Sequence, residues 1–269
     1  MNSYINKKKK SEKRCKAFRN KILDISQKVS ALHLGGSFSC LEIIDLIYFE
    51  FLNRKKDTFL MSKGHSCIAQ YVILEKLKIL KSKDLNQYCK NNGILGCHPD
   101  YGNPGINAST GSLGHGVALA VGIAHYYKIN KSNARVFCII SDGELQEGST
   151  WEAMMMAANL NLNNLILFLD HNGSQSFGKT KETHPKFYPI QSKVTSFNWS
   201  VCNIKNGHDQ IEILKKVNKE IKNISKPTLF ICNTVKGKGV SYMEHQPIWH
   251  YRSPNKTEYI QAKREINAK

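Results

Sequence analysis

Residues 135–172 read RVFCIISDGELQEGSTWEAMMMAANLNLNNLILFLDHN, and this stretch decides the fold. Its two ends, Arg135–Ser141 and Leu165–Asp170, are short, apolar and β-branched, without polar alternation. Strands of that kind are buried on both faces. Between them a helix is expected from about Ser149 to Leu160, so the stretch reads strand–helix–strand, the unit of a parallel sheet. Downstream, Trp199–Ile204 and Pro227–Val235 repeat the strand signature, and Ile211, Leu214, Val217 and Ile221 recur between them at helical spacing. The expected fold is α/β: a single domain with a parallel sheet of four strands flanked by helices.

Upstream, Phe18, Ile22, Ile25, Val29 and Leu32 form an apolar stripe, predicting a helix that closes near Gly35–Gly36. Ser39 is placed to cap a second helix through Leu41, Ile44, Ile47 and Phe51, and a third is expected over Cys67–Leu77. Gly93–Gly116 holds seven glycines and two prolines, too punctuated for regular structure, and ends in a glycine-rich loop that feeds a helix.

The chain has 269 residues, 39 Lys+Arg against 21 Asp+Glu, and a net charge of +18. With 41% hydrophobic residues it can bury a core, which excludes wholesale disorder. No apolar run reaches the roughly 18 residues of a membrane span. The eight cysteines show no metal or redox spacing and read as reduced thiols of a cytoplasmic protein. The positive charge is mostly Lys, with only six Arg, and base reading leans on Arg, so nucleic acid is not the expected partner. Ten basic residues against two acids fall within residues 1–30. Residues 1–16 are therefore read as a basic, solvated and partly frayed segment, and 17–269 as the domain.

Ligands of an open parallel sheet sit beyond the carboxyl ends of its strands. Asp142 and Gly143 leave one such end, followed by Glu144 and Glu147, while Asn172 leaves another, 30 residues after Asp142. A carboxylate and an amide on neighbouring strand ends can share Mg²⁺, which takes few protein oxygens and completes its shell with diphosphate and water. Gly143 lets the backbone approach that diphosphate closely. An Asp-Gly pair after a strand also occurs as a plain turn.

Taken with GHS at 64–66 and HPDYGNPGINASTGSLGHG at 98–116, the central stretch resembles the N-terminal half of transketolases. The likeness runs from LHLGGSFSCLEI at 32–43 to WHY at 249–251, roughly four-fifths of the chain. It implies a thiamine diphosphate-binding fold in which Asp142, Asn172 and the carbonyl of Ser174 hold Mg²⁺, or Ca²⁺ or Mn²⁺ in its place. His65, Gly111, Leu113, Gly114 and His115 would line the cofactor cleft, with Gly143 and Glu144 flanking the diphosphate. His33, His65, His98 and His250 would face the reactive carbon and the sugar hydroxyls, where neutral imidazoles suit proton movement near neutral pH. Glu147 would stand at an interface between two copies, in a chain of acids linking their sites; its simpler reading is a carboxylate favoured by a helix N-terminus. The run at 227–250 also matches, and its Lys236–Gly239 turn is expected to be a mobile loop that orders over cofactor or substrate. Ser141 stands where the family has glycine, Asn159 where many members have histidine, and no β-branched residue follows Asn172. These departures point to a divergent branch serving a specialised sugar pathway.

The resembled enzymes carry a second domain that binds the thiamine pyrimidine and most of the sugar phosphate. This chain ends soon after the last matched motif, at KREINAK. The expectation is therefore the first subunit of a split transketolase, working with a separate C-terminal subunit in an α₂β₂ assembly. Together they would move a two-carbon ketol unit from a ketose or its phosphate to an aldose. A deoxyxylulose-phosphate synthase-like enzyme, an oxo-acid decarboxylase component and a non-catalytic homologue are the alternatives. The complete set of ligands and histidines argues against the last.

Overall fold

A computed structural model describes residues 2–29, 32–176 and 178–268. In chain order the regular elements begin with α1 (Asn2–Ser26), α2 (Leu34–Ser39), α3 (Leu41–Leu46), β1 (Thr58–Met61), α4 (Cys67–Lys76), α5 (Ser82–Asn86) and α6 (His115–Ile129). There follow β2 (Val136–Ser141), α7 (Gly148–Asn159), β3 (Leu165–His171), α8 (Thr180–Thr183), α9 (Ile190–Ser196), β4 (Ser200–Ile204), α10 (Gln210–Ile221), β5 (Thr228–Asn233) and α11 (Lys256–Ala268). Among the described residues no helix is long and apolar enough to cross a membrane.

All strand pairs are parallel, in the order β1-β2-β3-β5-β4. Alternation along each strand divides the core into two layers. Phe137, Ile139, Ile166, Phe168 and Phe230 pack with residues of α1, α3, α4 and α10 on one face. Val136, Cys138, Ile140, Leu167 and Leu229 pack with α6, α7 and α9 on the other. Burial on both faces is what uniformly apolar strands require, each buried Leu, Ile or Phe side chain contributing about 1.5–3 kcal/mol.

The four expected strands are present, and a fifth, β1, lies at the edge. Thr-Phe-Leu-Met is too short to carry a periodic signal, and it is flanked by Lys55, Lys56 and Asp57 on one side and Ser62 and Lys63 on the other.

The N-terminal helix differs most from its sequence reading. α1 is continuous from Asn2, so the expected basic segment 1–16 and the domain from residue 17 meet inside one helix. Long Lys and Arg side chains are good helix formers, and Ser11, Cys15, Phe18, Ile22 and Leu23 bury one side of it. Arg14 forks onto Asp45 (2.6 and 2.8 Å), and Arg19 onto Glu42 (2.6 and 2.9 Å). The helix ends at Ser26, not near Gly35–Gly36. Those glycines lie inside α2, where other groups press close against their α-carbons. A Cβ on Gly36 would stand 2.9 Å from Ser66 Oγ, and one on Gly35 3.0 Å from the Trp249 carbonyl. Nor does Ser39 cap the next helix: Cys40 precedes α3 without a side-chain cap, and Ser39 Oγ bonds Asp170 Oδ2 at 2.5 Å.

Candidate active site

β2 and β3 run side by side with Ser141 opposite Asp170, so the turns that follow them start from adjacent points. Asp142 is 2% exposed; its Oδ1 lies 2.7 Å from His171 Nδ1, and its Oδ2 accepts from the Gly173 N–H at 2.5 Å. Burial raises the Asp142 carboxyl, and the His171 bond opposes it. Asn172 Oδ1 accepts from the Ser174 N–H (3.0 Å), while its Nδ2 donates to Asp170 (3.2 Å). Gly173 takes a left-handed φ of 70°, which explains why no β-branched residue follows Asn172. Ser141 is a regular strand residue, so glycine is not needed there.

A cavity of about 220 Å³ opens at these strand ends, with Gly143, Asn172, Ser174, Leu113, His65 and His250 among its walls. Two lysines also line it. Lys63 is fully buried, ion-paired to Asp170 and bonded to the Gly36 carbonyl at 2.9 Å. Lys236 reaches the Gln175 carbonyl at 3.1 Å and His250 Nδ1 at 3.3 Å. Burial, with the charge of Lys63, pulls the Lys236 ammonium down to about 8. The Lys236–Gly239 turn thus places its first side chain inside the site, and its Gly237 N–H donates to the Gly35 carbonyl at 2.9 Å.

Four histidines from four separate segments gather here. Ring centroids are 5.3 Å apart for His33–His65, 5.0 Å for His33–His250, 5.0 Å for His65–His250 and 6.5 Å for His33–His98. Burial and neighbouring charges hold three of them neutral. His33 falls to about 4, His250 to about 3, and His65 well below its usual value. In each, burial is the largest cause, and Lys236 and Lys63 add to it.

The glycines of the 111–116 loop serve close approach. A Cβ on Gly111 would stand 3.1 Å from the His98 ring. Gly114, at φ 84°, leads into α6 with Ser149 and Glu147 packed against it. His115, the first residue of α6, is exposed, as is Glu147, which lines the cavity at the start of α7. Glu144, expected to flank a diphosphate, is buried. Its carboxylate turns into the interior, onto Ser62 Oγ and the Gly114 N–H (3.3 Å), and burial pushes it up to about 7.

Three observations test whether these residues suit a metal–diphosphate group. The donors at Asp142, Asn172 and the Ser174 carbonyl are all oxygen, which suits Mg²⁺, Ca²⁺ or Mn²⁺. A Cβ on Gly143 would meet nothing nearer than 3.7 Å, leaving a cradle on the cavity side. Lys63 and Lys236 line the same cavity, and the charge of Lys236 suits an anion there. Among the described residues no cluster of three His, Cys, Asp or Glu could bind a metal unaided, so an ion here needs the amide, the carbonyl and an anionic ligand. The residues fit the group. Sequence reasoning did not single out Lys63, Asp170 or His171, although an acid closing LILFLD and a lysine opening KGHS were visible signals.

This fold and strand-end site define a thiamine diphosphate-binding α/β domain. Residues 10–267 match the family described as transketolase, thiamine diphosphate binding domain, and the chain belongs to that family. It is 35% identical over 257 residues to an apulose-4-phosphate transketolase subunit of Phocaeicola vulgatus, covering 93% of this chain and 91% of that protein. To the 6-deoxy-6-sulfo-D-fructose transketolase subunit SqwG of a Clostridium species it is 34% identical, covering 81% and 82%. The transketolase structure from Campylobacter jejuni superposes with a TM-score of 0.88 at 27% identity, covering 96% of this chain and 42% of that one. The chain thus spans about two-fifths of the solved transketolases and nearly all of the Phocaeicola protein, which is itself a subunit.

Proposed function

We propose that this chain is the cofactor-binding subunit of a two-subunit, cytoplasmic transketolase. With a separate C-terminal subunit, in an α₂β₂ assembly, it transfers a two-carbon ketol unit from a ketose or its phosphate to an aldose. The observation that carries this reading is a cluster of four histidines, two of which, His65 and His250, wall a cavity with Asn172, Ser174 and two buried lysines. Relatives of similar length bear names of transketolase subunits, which supports a separate partner.

Asp142, Asn172 and the Ser174 carbonyl would hold the divalent metal, with Mg²⁺ the first choice, and Lys236, with Lys63 paired to Asp170 beside it, would balance the diphosphate. Thiamine diphosphate supplies the nucleophilic carbon and the electron sink needed to break and make a C–C bond. The chain's own residues orient the sugar and move its protons. His33, His65 and His250, neutral at pH 7, can each accept a proton from a hydroxyl or donate a hydrogen bond to it. His98 adds a further ring beside His33. Glu147, exposed at the start of α7, is free to meet a second copy or the partner.

Calorimetric titration of the chain with thiamine diphosphate and Mg²⁺, alone and with a candidate second subunit, tests the reading. Metal-dependent binding that strengthens with the second chain and disappears in Asp142→Ala is the expected result. No cofactor binding by chain or pair rejects it.

A further inference from the structure

We propose that Cys97 is the positioning residue of His98, a role that rests on the reading above in which His98 meets the sugar. Cys97 Sγ lies 3.3 Å from His98 Nδ1, and among the described residues no other group hydrogen-bonds that ring.

The peptide around the pair is pinned at three successive carbonyls. The Cys67 thiol donates to the Cys97 carbonyl (3.2 Å), the Tyr71 hydroxyl to that of His98 (2.9 Å), and the Thr110 N–H to that of Pro99 (3.2 Å). A fixed backbone still leaves an imidazole its own torsions. Gly111 bounds the ring on one side, where a Cβ would stand 3.1 Å from His98 Cγ. The Cys97 sulfur supplies the remaining restraint, and by occupying Nδ1 it leaves Nε2 as the nitrogen for a substrate hydroxyl. Cys97 is exposed and its thiol borders the site, so a substitution there removes the contact without opening the core.

The test uses the full chain assembled with its second subunit. Cys97→Ala lowers kcat/KM for the sugar about two- to ten-fold, the range of one modest hydrogen bond, and Cys97→Ser recovers most of it. Thiamine diphosphate affinity and the melting temperature stay where they were. Nitrogen NMR of the histidine rings in the full chain shows an altered Nδ1/Nε2 proton distribution at His98 in the Ala variant and a restored one in Ser. Methyl methanethiosulfonate supplies a second probe: the Cys97 thiolate attacks its sulfenyl sulfur, an S–S bond forms and methanesulfinate leaves. The reagent slows the wild-type enzyme and not Cys97→Ser, and dithiothreitol reverses the effect. If His98→Ala cripples turnover while Cys97→Ala matches wild type, the positioning role is wrong. If His98→Ala leaves turnover intact, the sugar-contact reading of His98 fails, and the proposal with it. A Cys97→Ala loss that tracks an equal loss of cofactor affinity and melting temperature also overturns it, since the contact is then only structural.

Discussion

Replacing Arg19 with Met tests whether the basic N-terminal helix is part of the cofactor domain. Arg19 is 7% exposed, forks onto both Glu42 oxygens, and donates to the carbonyls of Phe38 and Lys238 at 3.0 Å each. Burial pushes the Glu42 carboxyl up, yet the Arg19 charge and the His208 bond outweigh it and hold the group down at about 2, from 4.5. At about 1.4 kcal/mol per pKa unit, that is about 3 kcal/mol of stability at pH 7. Removing one partner of a buried pair costs about 3–5 kcal/mol. His208 Nδ1 stays 2.9 Å from Glu42 Oε2, so the loss falls at the lower end, about 3 kcal/mol. The sign with pH follows. A depressed carboxyl contributes stability above its unfolded value of 4.5 and loses it as pH falls towards 2. The wild type therefore weakens over that window, and the Met variant, whose Glu42 is no longer held down, weakens less. Urea unfolding followed by tryptophan fluorescence, at pH 7 and stepwise into acid, reads both quantities. A loss under about 1 kcal/mol at pH 7, or an unchanged acid slope, would refute the reasoning.

Gly114→Ala puts a Cβ 2.4 Å from Ser149 Oγ at a φ of 84°, so the loop before α6 must shift. The left-handed conformation alone costs about 1–2 kcal/mol, and thiamine diphosphate affinity is expected to fall at least about ten-fold by calorimetry. Lys63→Met strands the Asp170 carboxylate among Ser39, Thr234 and Asn172 and costs about 3–5 kcal/mol. The double variant Lys63→Met/Asp170→Asn recovers part of that in thermal unfolding, and no recovery would mean the charge is not the cause. His33 and His250, held at about 4 and about 3, bind fewer protons folded than unfolded below pH 6.5, so stability drops as pH falls from 6.5 to about 4. Both rings are partly exposed, which leaves about 1–2 kcal/mol after solvent screening. Exchanging both for Gln should flatten that limb of the melting temperature against pH, and an unaltered limb counts against neutral rings.

The sheet was legible because its central strands are uniformly apolar and separated by helices, a pattern with few other solutions. The edge strand was not, since Thr58–Met61 is shorter than any period can register. The resemblance to transketolases, not any local pattern, placed His33, His65, His98 and His250 together, and the ring contacts bring the four into one cluster. The resemblance set Glu144 beside a diphosphate, and nothing local in the sequence showed that the short helical turn at Gly143–Gln146 buries its side chain against Ser62. Ser39 looked like a helix cap because its type and position suit one. Its real partner, Asp170, is 131 residues away, and no local pattern encodes that contact. Long-range polar pairs of this kind are where sequence reading stops.

The charge distribution gains its meaning from the same contacts. A net charge of +18 invites an electrostatic function spread over the surface. Much of the N-terminal share is engaged in structure: Arg14 and Arg19 are paired with Asp45 and Glu42, and Lys7 and Lys21 with Glu50 and Glu75. The lysines that bear on chemistry are two buried ones, Lys63 and Lys236. They stand beside histidines that cannot be charged at neutral pH, partly because these lysines are. The arrangement separates two tasks within one cavity. Lys63 is paired to Asp170, which leaves the Lys236 charge for an anion at the strand ends, and the rings beside it are kept uncharged, as proton exchange with a sugar would require. Removing the Lys236 charge, as in Lys236→Met, should therefore weaken diphosphate binding and at the same time raise the histidine values. Histidine NMR titration of the cofactor-free chain would separate these effects, since a rise there cannot come from a lost ligand.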